Sequence, residues 1–311
     1  MINPTFFESK NSLKLFGLEN YFKFLSNLYI KQNLPNVLML TGEKGSGKST
    51  LINHFLFSIF DEKNYDKDNL TLSNTSSIYS QFKNNIFSNI IYINGSDYQS
   101  VKVEDIRSIK NKISQTSILN KNRFIILDDI DLFNLNSLNA LLKIIEEPNE
   151  NNYFILINNK SRPLIDTVKS RTLNIDIILN EKQRLNIINE LKKNFVLDFV
   201  LNPNDTNISP GNFVKYNYVC IEHNISLKND YIENISLLLN LFKKSKDNIY
   251  KDLVFFITEV YFKELYKDKS QKKEKIYEDK NFVFDNLNKF LLYNINQNSF
   301  INAINNKLNE E

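Results

Sequence analysis

The sequence predicts an α/β domain built on a parallel sheet and followed by helical segments, on three observations. The runs Val37-Leu38-Met39-Leu40, Phe124-Ile125-Ile126-Leu127 and Tyr153 to Ile157 are short and continuously apolar, as strands covered on both faces are. Between them lie stretches with apolar residues at helical spacing, so strand and helix signals alternate. After about Ile178 the strand signals stop and helical period continues alone.

From Glu19 to Asn33, Phe22, Leu25, Leu28 and Tyr29 recur at helical spacing, and Pro35 stops that helix before the first strand. Val37 to Leu40 runs into a Gly-rich turn, and Leu51 to Phe60 is the apolar helix after it. Asp61 to Asn89 is rich in Asn, Ser and Asp without clear period and reads as a polar surface insertion. Ile90 to Ile93 is a short strand leading through Gly95 to a helix from Val103 to about Thr116. Phe124 to Leu127, the strongest strand signal, ends in Asp128-Asp129. The helix Ser137 to Glu147 is closed by Pro148, Tyr153 to Ile157 leads into Asn158-Asn159, and Leu164 to Lys169 is helix-like. Glu181 to Asn194 is helical, and Pro203, Pro210 and Gly211 punctuate a second small helical unit. From about Lys228 onward Leu237, Leu238, Leu241, Leu253, Phe256, Ile257 and Val260 are the expected core stripes. The expected domains are an α/β domain over 1–178, a small helical lid over 179–216 and an all-α C-terminal domain over 217–311.

The chain of 311 residues is long enough for two or three domains with ample core. A net charge of +3 is too mild to argue for nucleic acid by itself, so any such contact needs a local patch. The single cysteine, Cys220, excludes an internal disulfide and a multi-cysteine zinc site. No charged start precedes a long apolar stretch at Met1 to Phe16, and no apolar run reaches about 18 residues. The expectation is a cytoplasmic protein with no membrane partner.

The turn after the first strand, Gly42-Glu43-Lys44-Gly45-Ser46-Gly47-Lys48-Ser49-Thr50, fits the pattern GxxxxGK[ST] without substitution. A strand that ends in such a turn and opens a helix presents backbone N–H groups at a positive helix end, which suits a nucleotide phosphate. Lys48 is placed to reach the β- and γ-phosphates, and Ser49 offers its hydroxyl to Mg²⁺. The metal needs a second acidic site. Asp128, at the end of a buried strand, is the candidate carboxylate, against the plainer alternative of a solvated strand end. Asp129 follows where many such ATPases place a Glu that activates water. Its side chain is one methylene shorter, and a displacement of about 1 Å can cost on the order of a hundredfold in rate. Asn158 and Asn159 either sense a γ-phosphate or begin a turn. Arg171, in Ser170-Arg171-Thr172, reads by itself as a solvated surface charge.

Taken together, Val103-Glu104-Asp105-Ile106-Arg107, Arg123 to Asp131, Asn139-Ala140-Leu141-Leu142-Lys143-Ile144-Ile145-Glu146-Glu147-Pro148 and Ser170-Arg171 resemble the clamp-loader branch of the AAA+ ATPases, in particular the delta-prime subunits of bacterial DNA polymerase III. The resemblance covers about residues 16 to 178 and is carried chiefly by NALLKxxEEP and the SR pair. The length suits delta-prime better than the longer gamma/tau subunits.

The resemblance implies an AAA+ P-loop NTPase core, a helical lid and a helical collar for oligomerisation. It implies ATP and Mg²⁺ as cofactors and Arg171 as an arginine finger acting in trans on a neighbour's nucleotide, a role worth ~10³–10⁵ in turnover. Implied partners are the gamma/tau and delta subunits, the sliding clamp within the complex, and the backbone of primed DNA. Lys102, Arg107, Lys110 and Lys112 cluster around one helix that could follow that backbone, or equally form a solvated face. Thr172 stands where the family has Cys, and the four-cysteine zinc module of many relatives has no counterpart, so no zinc is expected. No Arg stands beside Gly211 in Ser209-Pro210-Gly211-Asn212, where motor-type relatives carry one. With Asp129, that implies weak or absent hydrolysis. A gamma/tau-type motor is the alternative. A phosphate-loop kinase or transferase leaves NALLKxxEEP and the SR pair unexplained.

Overall fold

The computed structural model describes residues 8–97, 101–114, 122–148, 151–195, 198–204, 206–227, 230–267, 273–293 and 295–309. The chain divides into two compact units, Met1–Val196 with Ile208–Asn212, and Leu197–Asn207 with Phe213–Glu311.

In the first unit, five strands form one parallel sheet: β1 (Val37–Thr41), β4 (Ile90–Asn94), β5 (Arg123–Asp128), β6 (Asn152–Asn158) and β7 (Leu173–Asp176), in the order β4-β5-β6-β1-β7. Successive side chains of a strand point to opposite faces. Leu38, Leu40, Phe124, Ile126, Ile155 and Ile157 enter one core, with α1 (Glu19–Ile30), α2 (Lys48–Phe60) and α3 (Ser77–Lys83). Val37, Met39, Ile125, Leu127, Phe154 and Leu156 enter the other, with α4 (Val103–Ser114), α5 (Leu135–Ile145) and α6 (Asp166–Lys169). A continuous apolar run is what a strand needs when both faces are covered, which is why β5 is buried at every position. The helix α2 is apolar almost all round because it lies between the sheet and further elements, with Leu51, Ile52, Phe55, Leu56 and Phe57 all buried.

Two expectations need correction. The segment from Asp61 to Asn89 is not a polar surface insertion. It holds the antiparallel pair β2 (Tyr65–Asp66) and β3 (Thr71–Leu72) as well as α3, and Tyr65, Leu70, Leu72, Tyr79, Phe82 and Phe87 are buried in the α2-side core. Its buried residues are scattered among polar ones, so they make no periodic signal yet fill the core. The edge strand β7 was not expected after Leu164 to Lys169. It is exposed at three of its four positions and rich in Asn and Asp, and it joins the sheet through its pairing with β1.

The first unit also contains α7 (Glu181–Phe195), and it includes the first turn of α8 (Pro210–Glu222). The rest of α8 belongs to the second unit, with α9 (Tyr231–Ser245), α10 (Asn248–Lys267), α11 (Lys273–Tyr293) and α12 (Gln297–Leu308). There α9 packs on α10 and α12, and α11 on α10 and α12. Leu238, Leu253 and Ile257 are buried as expected, whereas Leu237 is exposed and Leu239 and Ile235 take the inward positions on α9. Tyr231 stacks on Tyr261 at 4.1 Å between ring centroids and reaches the Thr258 hydroxyl at 3.1 Å. None of the described helices is long and apolar enough to cross a membrane.

Candidate functional site

The carboxyl ends of β1, β5 and β6 meet at the turn into α2. Gly45 and Gly47 hold φ of 83° and 93°, the left-handed region that glycine enters without steric cost, and Gly47 caps α2. Among the described residues, no group of three or more His, Cys, Asp or Glu is placed to hold a metal. The donor set is instead a hydroxyl and a carboxylate: the Ser49 hydroxyl donates to Asp128 Oδ2 at 2.6 Å. That set fits a Mg²⁺ that arrives with phosphate oxygens and waters and needs few protein ligands. Gly42, Gly45, Gly47, Lys48, Ser49 and Thr50 lie on the turn and the first residues of α2, so these residues fit a nucleotide phosphate with its metal.

Strand parity sorts the polar ends. Asp128 continues the Phe124, Ile126 face and so reaches α2. Burial pushes its carboxyl above the usual range, opposed by hydrogen bonds from Ser49 and from the Tyr92 hydroxyl at 2.6 Å. Asp129 stands at φ 52°, where non-glycine residues are uncommon and strained sites cluster. Its carboxylate accepts from the Asn159 side-chain amide, and Asn159 continues the Ile155, Ile157 face. Asn158 falls on the opposite face. Its Oδ1 caps the Lys160 N–H at 3.0 Å, and it lines a separate cavity of about 480 Å³ with Thr41, Asn174 and Lys160. Asn159 thus touches the acidic cluster, and Asn158 caps the turn that follows β6.

Lys48 is buried, and its ammonium donates to the carbonyls of Gly42 at 2.8 Å and Glu43 at 2.6 Å. Burial lowers its pKa to about 8, against the attraction of Asp128, Asp129, Asp131 and Glu43. The ammonium is therefore held across its own loop. The outer side of the loop is tied as well. The Ser209 hydroxyl donates to the Lys44 carbonyl at 2.5 Å, the Asn212 side-chain amide to the same carbonyl at 3.1 Å, and the Gly211 N–H to the Gly45 carbonyl at 2.9 Å. A Cβ on Gly211 would sit 2.7 Å from the Gly45 oxygen, so only glycine allows this approach.

Sequence reasoning did not single out two of these groups. Asp131 accepts from the Asn159 N–H at 3.0 Å and the Ser161 N–H at 2.7 Å and so fixes the turn after β6. Its place two residues beyond Asp129 was the available signal. Tyr92 comes from the neighbouring strand; the turn from Ser209 to Asn212 was singled out only for its missing Arg, and its hydroxyl and amide reach the Lys44 carbonyl from far along the chain.

Arg171 lies at the end of α6, half-exposed, with its guanidinium on Glu146 (Nη2 to Oε1, 2.6 Å) and on the Thr167 carbonyl. On α4, Arg107 is exposed, with Glu104 3.9 Å away, and the Lys102 N–H donates to Asp105. The side chains of Lys110 and Lys112 lie outside the described residues.

A family model described as DNA polymerase III, delta subunit, matches residues 17–180, more than half of the chain. The chain belongs to that family. Within it the protein is a clamp-loader AAA+ family member, similar to delta-prime. It is 34% identical over 139 residues to DNA polymerase III subunit delta' of Buchnera aphidicola subsp. Schizaphis graminum, covering 41% of this chain and 42% of that one. It is 26% identical over 187 residues to subunit gamma of the same organism, covering 58% of this chain and 48% of the relative. The chain therefore spans less than half the length of these two curated relatives. A solved gamma subunit-related protein of Thermotoga maritima aligns over 91% of this chain and 96% of its own, with a TM-score of 0.45 and 14% identity.

Proposed function

We propose that this DNA polymerase III family member is a delta-prime-type clamp-loader subunit that binds ATP with Mg²⁺ and donates Arg171 to the nucleotide of a neighbouring subunit. ATP bound by the neighbouring subunit would supply the phosphoanhydride whose cleavage drives loading of the sliding clamp onto primed DNA. In this reading the glycine turn holds the phosphates, Lys48 moves from the Gly42 and Glu43 carbonyls to them, and Ser49 and Asp128 hold the metal. Asp129, tied to Asn159, leaves the chain's own hydrolysis weak. The observation that carries the reading is the outward position of Arg171: its contacts are with Glu146 and Thr167, and none is with its own phosphate loop. The exposed cations Lys102 and Arg107, with Lys110, would follow a DNA backbone independently of sequence. Residues 179–216 would act as the lid and 217–311 as the collar that joins gamma/tau and delta subunits, in the cytoplasm.

The gamma/tau-type motor remains the second reading, favoured by the complete phosphate loop and the Ser49 to Asp128 contact. DNA- and clamp-stimulated ATP turnover separates them, measured in a complex reconstituted with gamma- and delta-type subunits and carrying Arg171→Ala in this chain alone. A loss of ~10³-fold at the neighbouring site with assembly preserved is expected. Unchanged turnover, together with vigorous hydrolysis by the isolated chain, would overturn the delta-prime reading in favour of the motor.

A further inference from the structure

The guanidinium of Arg171 is not free at the surface. Its Nε donates to Glu146 Oε1 at 2.9 Å, its Nη2 lies 2.6 Å from the same oxygen, and its Nη1 donates to the Thr167 carbonyl at 2.9 Å. Those contacts use three of its five N–H groups and leave two for an external oxyanion. Both anchors stand on packed elements. Glu146 is the C-cap of α5, whose Leu138, Leu141 and Ile145 are buried, and Thr167 belongs to α6, whose Val168 is buried in the same core. The carboxylate is thus fixed by a helix end, and the long arginine side chain, which otherwise samples many rotamers, is held in one.

We infer that Glu146 is the positioning residue of Arg171: its carboxylate takes the Nε and Nη2 edge and so turns the two remaining N–H groups outward before any partner arrives. The inference rests on the reading of Arg171 as the side chain donated in trans. Preorganised donors stabilise charge that develops in a transition state without reorganising at the moment of reaction. Loosening such a group costs on the order of 10- to 100-fold in rate. Glu146 is itself half-exposed, so replacing it is expected to leave the fold intact.

The test uses the reconstituted complex with Glu146→Ala, Glu146→Gln and Arg171→Ala, each in this chain alone. Glu146→Ala is expected to lower kcat about 10- to 100-fold with KM for ATP unchanged. Glu146→Gln, which keeps an acceptor oxygen for Nε and Nη2, is expected to recover most of that loss. Slow exchange of the Arg171 Nε–H in the isolated wild type, turning fast in Glu146→Ala, would report the restraint directly. If Arg171→Ala lowers turnover while Glu146→Ala matches or exceeds wild type, positioning is overturned and Glu146 merely parks the arginine. If Arg171→Ala has no effect, the underlying reading falls and takes this inference with it.

Discussion

His54 makes the folded protein sensitive to acid in a way that can be worked through. It sits in α2, fully buried, and its partners come from two other parts of the chain. Nε2 lies 3.1 Å from the Ser12 carbonyl, which can only accept, so Nε2 carries the proton; Nδ1, 3.1 Å from the Tyr65 hydroxyl, is the acceptor. Burial pushes the Tyr65 phenol up, so it stays a donor. The neutral ring satisfies both bonds and has no room for a charge. Burial lowers its pKa from the ordinary 6.5 to about 4, with the Ser12 carbonyl pulling weakly the other way. Between those values the unfolded chain takes up a proton that the native one refuses, so stability is full above pH 6.5 and falls as pH drops toward 4. At ~1.4 kcal/mol per pH unit the loss approaches ~3 kcal/mol.

His54→Gln preserves a donor for Ser12 and an acceptor for Tyr65 but cannot titrate. It is expected to cost ~1–2 kcal/mol at pH 7.5. The gap between wild type and variant should then close, and reverse, as the pH is lowered to 4. Urea unfolding followed by circular dichroism across that range measures the gap, and subtracting the variant cancels the carboxylates common to both. Parallel profiles, with a gap constant to about 0.5 kcal/mol, would refute the assignment of a neutral, proton-refusing His54.

Other expectations are as direct. Ser209→Ala with Asn212→Ala removes two side-chain bonds from the Lys44 carbonyl and should speed nucleotide association about tenfold, at ~0.5–1.5 kcal/mol per bond; stopped-flow with a fluorescent ATP analogue reads it, and an unchanged rate counts against a restraining role. Cys220 is buried, and burial pushes its thiol up to about 12, so a thiol-specific reagent should modify it on unfolding and not before. Rapid labelling of native protein would contradict that. Phe124 contacts the rings of Phe55, Phe60 and Tyr153, and Phe124→Ala should destabilise the first unit by ~3–5 kcal/mol in denaturant unfolding, a smaller loss meaning that the core collapses to fill the space.

Much of the sheet could be read in the chain because strands covered on both faces must be continuously apolar, as β1, β5 and β6 are. The glycine turn into α2 was legible because glycines at positive φ leave a fixed spacing. Period two even determines which of Asp128 and Asp129 faces α2. What escaped depended on distance in space. The residues of β7 have no apolar run, since an edge strand covered mostly by one neighbour does not need one. Tyr65, Leu72 and Phe82 are core residues hidden among Asn and Asp. Glu146 beside Arg171, and Ser209 with Asn212 on the Lys44 carbonyl, are meetings of separate segments that no local pattern announces. The Leu237 to Leu239 shift on α9 reflects a stripe of adjacent leucines in which period alone does not choose the inward member.

The paired asparagines at the end of β6 have a further consequence. Because alternate residues of a strand face opposite ways, a one-residue insertion upstream in β6 would turn every side chain over and ordinarily destroy a site at its tip. Here such a slip would bring Asn158 to the place beside Asp129 that Asn159 holds now. The doublet therefore makes this corner of the site tolerant of a frame error in its own strand, and the damage would fall on the hydrophobic layers behind it, where Phe154 and Ile155 would trade cores.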